Sequence, residues 1–251
     1  MKKSLIALAL VGAFAAPVFA EEAAAPASEH TVTGNVGLFS SYRFRGLDQT
    51  FGKPALQGGF DYSHSSGVYL GNWNSNVSET YYPGGNLEMD FYGGYKQAFG
   101  DFGVDVGGLY YYYPGTNAAK GQVIDNFELY AGVSWKFITF KYSHALTDYF
   151  NVAGTKNTKY FDLSAAYDLG DGWGVNGHIG RTQIPHEVNH DFNYTDWKLG
   201  VTKDVGGFVF GLSYVGTDAK RDSYTFTNAN NSSKTIFAGK NTVVVSVSKT
   251  F

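Results

Sequence analysis

Cysteine is missing from all 251 residues, so neither disulfides nor thiolate metal sites are available. Long apolar runs are almost as scarce. Past the first twenty residues no stretch approaches the roughly 18 apolar residues that a membrane helix needs. A positive excess is lacking too: 22 acidic residues face 19 basic ones, and two of the basic ones, Lys2 and Lys3, lie at the extreme amino terminus. That balance argues against nucleic acid as a partner. Charge of either sign is low, at 16%, and helix formers thin out after residue 30. What remains is rich in 32 glycines, 19 tyrosines and 20 phenylalanines, a composition suited to many strands, tight turns and aromatic belts.

Three zones follow from the pattern. Residues 1–20 read as a secretory signal: Lys2 and Lys3, an apolar run Leu5–Ala16, and a cleavage site ending at Ala20. Residues 21–29 (EEAAAPASE) are too polar and too rich in alanine and proline for a strand, and suit a flexible leader. Residues 30–251 alternate between apolar and polar. The last strand shows why this matters. Val243, Val245, Val247 and Phe251 fall on one face and Thr242, Ser246, Ser248 and Thr250 on the other, because strand side chains alternate with a period of two. Left as an open edge, so flat and apolar a strand would invite aggregation. It makes sense when paired back onto the first strand, with valines toward lipid and hydroxyls toward water.

About twelve segments of this kind are expected, near the ~9–11 residues of a barrel crossing. They begin with Thr31–Arg45, whose Tyr42 and Phe44 are assigned outward and Arg43 and Arg45 inward, and end with Asn241–Phe251. Facing is ambiguous only in Val68–Ser75. The connections alternate as well. Short turns such as Ser65-Ser66-Gly67, Gly100-Asp101 and Val205-Gly206-Gly207 separate longer polar stretches at 46–54, 76–86, 113–125, 148–159, 183–195 and 218–240. Aromatic belts are expected at both ends, from Tyr81, Tyr82, Tyr110–Tyr113 and Trp197 near the loops and Phe99, Phe102, Trp135, Phe137 and Trp173 near the turns. Together these features imply an all-β, transmembrane, up-and-down antiparallel barrel with short periplasmic turns and long extracellular loops, placed in the outer membrane. Outer-membrane lipid would surround it. The barrel-assembly machinery would take the carboxy-terminal strand ending at Phe251.

Two motifs carry a family resemblance. Ser40-Ser-Tyr-Arg-Phe-Arg-Gly-Leu-Asp-Gln49 and Ser66-Gly-Val-Tyr-Leu-Gly-Asn-Trp-Asn-Ser-Asn76, with the final apolar strand ending in phenylalanine, resemble the TorF family of porins. The second motif departs at Asn74, where the family usually has glycine. The resemblance spans the mature chain and implies an outer-membrane barrel with a pore, without an agreed substrate.

Inward charge is where function would sit. Strand direction brings Arg43 and Arg45 to the outer mouth, facing Glu88, Asp90, Glu128 and Asp162, with Lys198 inward nearby. This set forms either a charged constriction that selects solutes or a polar network that rigidifies the interior. Twelve strands tilted by ~40° enclose a backbone circle roughly 24 Å across, leaving about 10 Å between side chains. The longest loop, 218–240, is the expected plug. Because inward signs nearly balance, no ion preference follows.

His186-Glu187-Val188-Asn189-His190 spells a zinc-protease pattern, but Pro185 and flanking strands deny it the helix that the pattern requires. The third histidine of the extended motif is lacking. No catalytic residues, cofactor or resident metal are therefore assigned, although the two histidines could take up metal adventitiously. His144 falls outward among apolar residues, and a local bulge turning it inward is expected. The sequence thus implies passive diffusion of small hydrophilic solutes and no enzymatic activity. The alternative is a closed structural or surface-interaction barrel.

Overall fold

The computed structural model describes residues 28–116, 123–185, 190–228 and 231–251. Twelve strands make one closed sheet. They are β1 (His30–Phe39), β2 (Ala55–His64), β3 (Val68–Asn76), β4 (Leu87–Phe99), β5 (Phe102–Tyr112), β6 (Asp125–Trp135), β7 (Ile138–Ala145), β8 (Lys159–Gly170), β9 (Trp173–Gln183), β10 (Tyr194–Val205), β11 (Phe208–Thr217) and β12 (Thr242–Thr250). Each pairs antiparallel with the next, and β12 pairs with both β11 and β1. Closure is sealed at the carboxy terminus, where the Phe251 N–H donates to Gly34 O at 2.8 Å and Phe251 O accepts from Gly34 N at 3.2 Å. The signal segment expected at residues 1–20 and most of the leader lie outside the described residues.

Alternation sorts the side chains as the period of two requires. Val32, Leu56, Leu70, Val106, Val133, Leu163, Ile179, Leu212, Val243 and Val245 all point outward and are exposed, forming an apolar belt. Such a belt is stable only against hydrocarbon. Phe99, Phe102, Trp135 and Trp173 ring the turn end, exposed on the outside. Short turns and long loops segregate to opposite ends as expected. Gly206-Gly207, with φ of 63° and 83°, shows the left-handed pair that a two-residue hairpin demands.

Several expectations fail at the loop end. The first strand stops at Phe39 rather than Arg45. The chain then turns inward, so Tyr42 and Phe44, assigned to lipid, are buried inside at 2% and 5% exposure. Tyr81, Tyr82, Tyr111 and Tyr113 are likewise packed in the interior rather than set in an outer belt. Only Tyr110 and Tyr112 of that run point out, their rings stacked 6.3 Å apart. The ambiguous β3 places Tyr69 and Trp73 inward and Asn72 and Asn74 outward. Asn72 donates to Asp90 O at 3.0 Å, and Asn74 donates to Asn72 Oδ1 at 2.6 Å, so both amide nitrogens are satisfied. His144 needs no bulge. Its pairing to Leu129 and Lys159 runs in unbroken register, and it stays outward at the loop end, within 2.8 Å of Tyr142 Oη and 3.2 Å of Asn157 Oδ1. The His186 pattern lies outside the described residues apart from the backbone of His190, which enters a short 3-10 turn.

Candidate functional site

A loop laid across the barrel organises the interior. Residues 40–54 leave β1, enter the lumen and return to β2. At the loop's tip Arg43-Phe44 and Leu47-Asp48 form a miniature hairpin around Arg45-Gly46, with φ of 46° and 79°. Positive φ at both central residues is the requirement of a type I′ turn. Glycine is obligatory at the second. A side chain at Gly46 would collide with Thr217 Cγ2 and sit 2.7 Å from Asp196 Cβ, on the far wall. Asp48 ties the loop to itself: its carboxylate accepts from Ser41 Oγ at 3.1 Å, Gly52 N at 2.8 Å and Tyr81 Oη at 3.0 Å. The loop at 218–240, the expected plug, instead carries a largely exposed hairpin, Thr225–Asn228 with Asn231–Phe237. It supports the crossing loop from above, with Tyr224 beside Leu47. The physical reason is composition: Tyr42 and Phe44 gain by burial, whereas a loop rich in asparagine, serine and lysine does better in water.

Arg45 is the fixed point. Its Nη2 reaches Glu128 Oε2 at 2.7 Å and its Nη1 donates to Tyr149 Oη at 2.9 Å, both ion-pair partners being 2% exposed. The guanidinium carbon lies 4.2 Å from the Tyr160 ring centroid and 4.9 Å from that of Phe44. Planar cation, carboxylate and aromatic faces make this a well-desolvated clamp. A second tier lies next to it. Tyr42 donates to Glu88 at 2.8 Å and packs edge-on against Trp73, with centroids 5.4 Å apart. Burial first, then the Glu88 charge, pushes the Tyr42 hydroxyl well above the ordinary tyrosine value, so it stays a donor.

The assigned charged residues do not form a single ring. Arg45 and Glu128 meet directly. Glu88 and Asp90 are buried in the neighbouring aromatic packing, with Asp90 opposite Trp73 across the sheet. Arg43 turns away, donating to Ala238 O at 3.0 Å and Lys240 O at 3.2 Å, and so ties the crossing loop to the last one. Asp162 lies 2.9 Å from His178 Nδ1 on the opposite wall, where Lys198 also projects.

Sequence reasoning missed the tyrosines that engage the carboxylates. Tyr69 donates to Asp105 at 2.6 Å, Tyr92 to Asp61 at 2.5 Å and Tyr160 to Asp196 at 3.2 Å. The signal existed in the regular recurrence of tyrosine at inward positions. A cavity of about 190 Å³ runs beneath the crossing loop toward the turn end. Its cationic lining is Arg43, Arg45, Lys141 and Lys198, against the carboxylates of Asp105 and Asp162 alone. Glu88, Asp90 and Glu128 are outside it, folded behind aromatic rings.

Comparison with known proteins bears on this architecture. A family model described as a bacterial protein of unknown function (Gcw_chp) matches residues 23–251. Among solved structures, the KdgM porin in complex with disordered oligogalacturonate superposes with a TM-score of 0.53 at 6% identity, over 88% of this chain and 98% of that one. The NanC porin gives 0.53 at 9% identity, over 88% and 99%. Likeness at those identities is likeness of fold. No curated protein matches the chain.

Proposed function

We propose, starting from the fact that the chain belongs to the Gcw_chp family of bacterial proteins, that it is an outer-membrane porin-like channel for small hydrophilic solutes, with a preference for anions. The TorF porin resemblance and the porin fold support the channel. The observation that carries the anion preference is the sorting of charge: four cationic side chains line the cavity, and with Arg45 held by Glu128 the other three, Arg43, Lys141 and Lys198, face two carboxylates. Asp105 accepts from Tyr69, which blunts it, and Asp162 lies 2.9 Å from His178 Nδ1. In a low-dielectric tube such an imbalance sets the sign of the permeant ion. The crossing loop forms the constriction, with Arg43 and Arg45 at its tip, Lys198 on the facing wall, and Glu88, Asp90, Glu128 and Asp162 holding the frame.

Export would remove residues 1–20 near Ala20. The barrel-assembly machinery would then insert the barrel through the strand that ends at Phe251. Passive diffusion needs no cofactor. The test is electrical. Protein purified in detergent and reconstituted in planar bilayers across a potassium chloride gradient should conduct, with a reversal potential on the chloride side. The tight aromatic packing around Tyr42, Phe44, Tyr111 and Tyr113, each 5% exposed or less, favours the second reading of a closed structural barrel. Absence of both conductance and liposome swelling would establish that alternative.

A further inference from the structure

At the turn end, away from the crossing loop, the register of the first hairpin sets two histidines side by side. His30 opens β1 and His64 ends β2, and the two are direct cross-strand partners. Their ring centroids lie 5.0 Å apart. Glu29 joins them because its carbonyl accepts from Ser65 N at 2.9 Å, which extends the ladder by one residue past the strand and fixes where the side chain begins. Its Oε1 then comes within 3.2 Å of His64 Nε2. One ligand atom from each of the three residues can be chosen so that all lie within 4.8 Å of one another.

From this placement we propose that Glu29, His30 and His64 form a divalent transition-metal site on the periplasmic rim, of the zinc or nickel class. The donor set decides the class. Two imidazoles and one carboxylate are borderline ligands that suit zinc, nickel or copper and disfavour magnesium, which wants oxygen alone. Metal–ligand distances near 2.0–2.1 Å put neighbouring donors of a tetrahedral ion about 3.4 Å apart, so side-chain rotation alone closes the gap. The opposite ring nitrogens are already oriented. His30 Nδ1 sits 2.8 Å from Tyr62 Oη, and His64 Nδ1 sits 2.7 Å from Ser66 Oγ. The Tyr62 hydroxyl can accept from His30 Nδ1 and leave Nε2 free for a metal, whereas the Ser66 N–H donates to His64 Nδ1 at 3.1 Å, a contact the ring gives up for the Ser66 hydroxyl when Nε2 binds. A bound ion would staple the segment entering β1 to the first turn, on the outer side of the wall and clear of the channel.

The test titrates zinc alone into the detergent-solubilised barrel by calorimetry, in chelator-treated buffer. Wild type should take up one ion per chain. His64→Ala and His30→Ala should each weaken uptake at least tenfold. Tyr62→Phe, which removes only an orienting hydroxyl, should weaken it severalfold. His186→Ala should behave as wild type, and excess magnesium should not compete. Unchanged heat-modified gel mobility of each variant shows that the barrel is intact. Uptake that survives in the His30→Ala, His64→Ala double variant, uptake that vanishes in His186→Ala, or no uptake by wild type would each overturn the site.

Discussion

The two halves of the barrel interior follow different rules. From β2 to β6 the inward positions carry Tyr69, Trp73, Tyr92, Tyr111 and Tyr130, and the crossing loop adds Tyr42 and Phe44, so that half is packed like a protein core. From β8 to β12 the loop end still carries Tyr160 and Tyr194, but below them many inward positions are small, Ser164, Ala166, Asn176, Thr202, Gly211, Ser213, Ser246 and Ser248, too short to meet in the middle, and the cavity lies against them. Residue size, rather than strand number, decides where the lumen stays open. It also sorts charge. Most of the carboxylates sit in the packed half, where tyrosine hydroxyls are at hand, while lysines and arginines reach the cavity. Charges that nearly balance in the sequence therefore do not balance along the cavity wall.

The sharpest way to break this contrast is at Arg45. Arg45→Ala leaves Glu128 buried without its cation, and stability should fall by about 3–5 kcal/mol. Guanidinium unfolding in detergent, followed by tryptophan fluorescence, measures that loss. The crossing loop should also loosen, giving larger or noisier single-channel steps. Arg45→Met with Glu128→Leu, which removes both charges while keeping volume, should restore most of the stability. An unaltered midpoint in the single variant would mean that the packed half does not depend on its clamp.

Tyr42→Phe comes next. It deletes one hydroxyl and leaves the Glu88 carboxylate short of a charged hydrogen bond, at a loss of about 1.5–3 kcal/mol. Ser213→Ala, an equally small change in the open half, should stay within about 0.5 kcal/mol because water replaces the hydroxyl. Equal effects in the two variants would erase the distinction between halves.

Glycines give a finer comparison. A methyl at Gly59 would run into the carbonyl oxygen of Asn72 and lie 2.8 Å from Trp73 Cα, both backbone atoms that cannot step aside. At Gly211 the corresponding methyl meets Ser246 Oγ at 2.5 Å, a hydroxyl free to rotate toward the cavity, and nothing else closer than 3.9 Å. Gly59→Ala should therefore destabilise by about 1–3 kcal/mol, and Gly211→Ala should be nearly silent. Unfolding midpoints of the two proteins decide the matter.

How much of this was legible beforehand depends on what a period of two can encode. It marks sides of a wall, so Val243, Val245 and Val247 and their alternating hydroxyls were placed without difficulty. It does not mark where a wall ends. Tyr42 and Phe44 keep the alternation formally intact beyond Phe39, and only the Arg45-Gly46 pair, a type I′ turn, betrays the reversal. Nor does it tell an aromatic that faces lipid from one that faces a loop folded inside, which is why Tyr82 and Tyr111 were assigned to a belt. The Arg45–Glu128 encounter was within reach because strand direction gives height. The turning away of Arg43 was not, since its partners are carbonyls of residues 238 and 240, nearly two hundred positions along the chain.

A small change in stability is expected again at the residue closest to the proposed activity. Lys198 stands on β10 in the open half and lines the cavity. Lys198→Gln keeps its length and polarity and removes only its charge, so unfolding should shift by no more than about 0.5 kcal/mol. Selectivity should move further. With one of the three lining cations other than the Glu128-held Arg45 gone against two carboxylates, the chloride-over-potassium permeability ratio should fall to about unity, and adding Lys141→Gln should carry it below. A neutral solute of similar size should enter liposomes at the wild-type rate, because the bore is unaltered. Should the ratio hold while the rate drops, side-chain bulk and not charge would govern passage. The open half would then differ from the packed one in size alone.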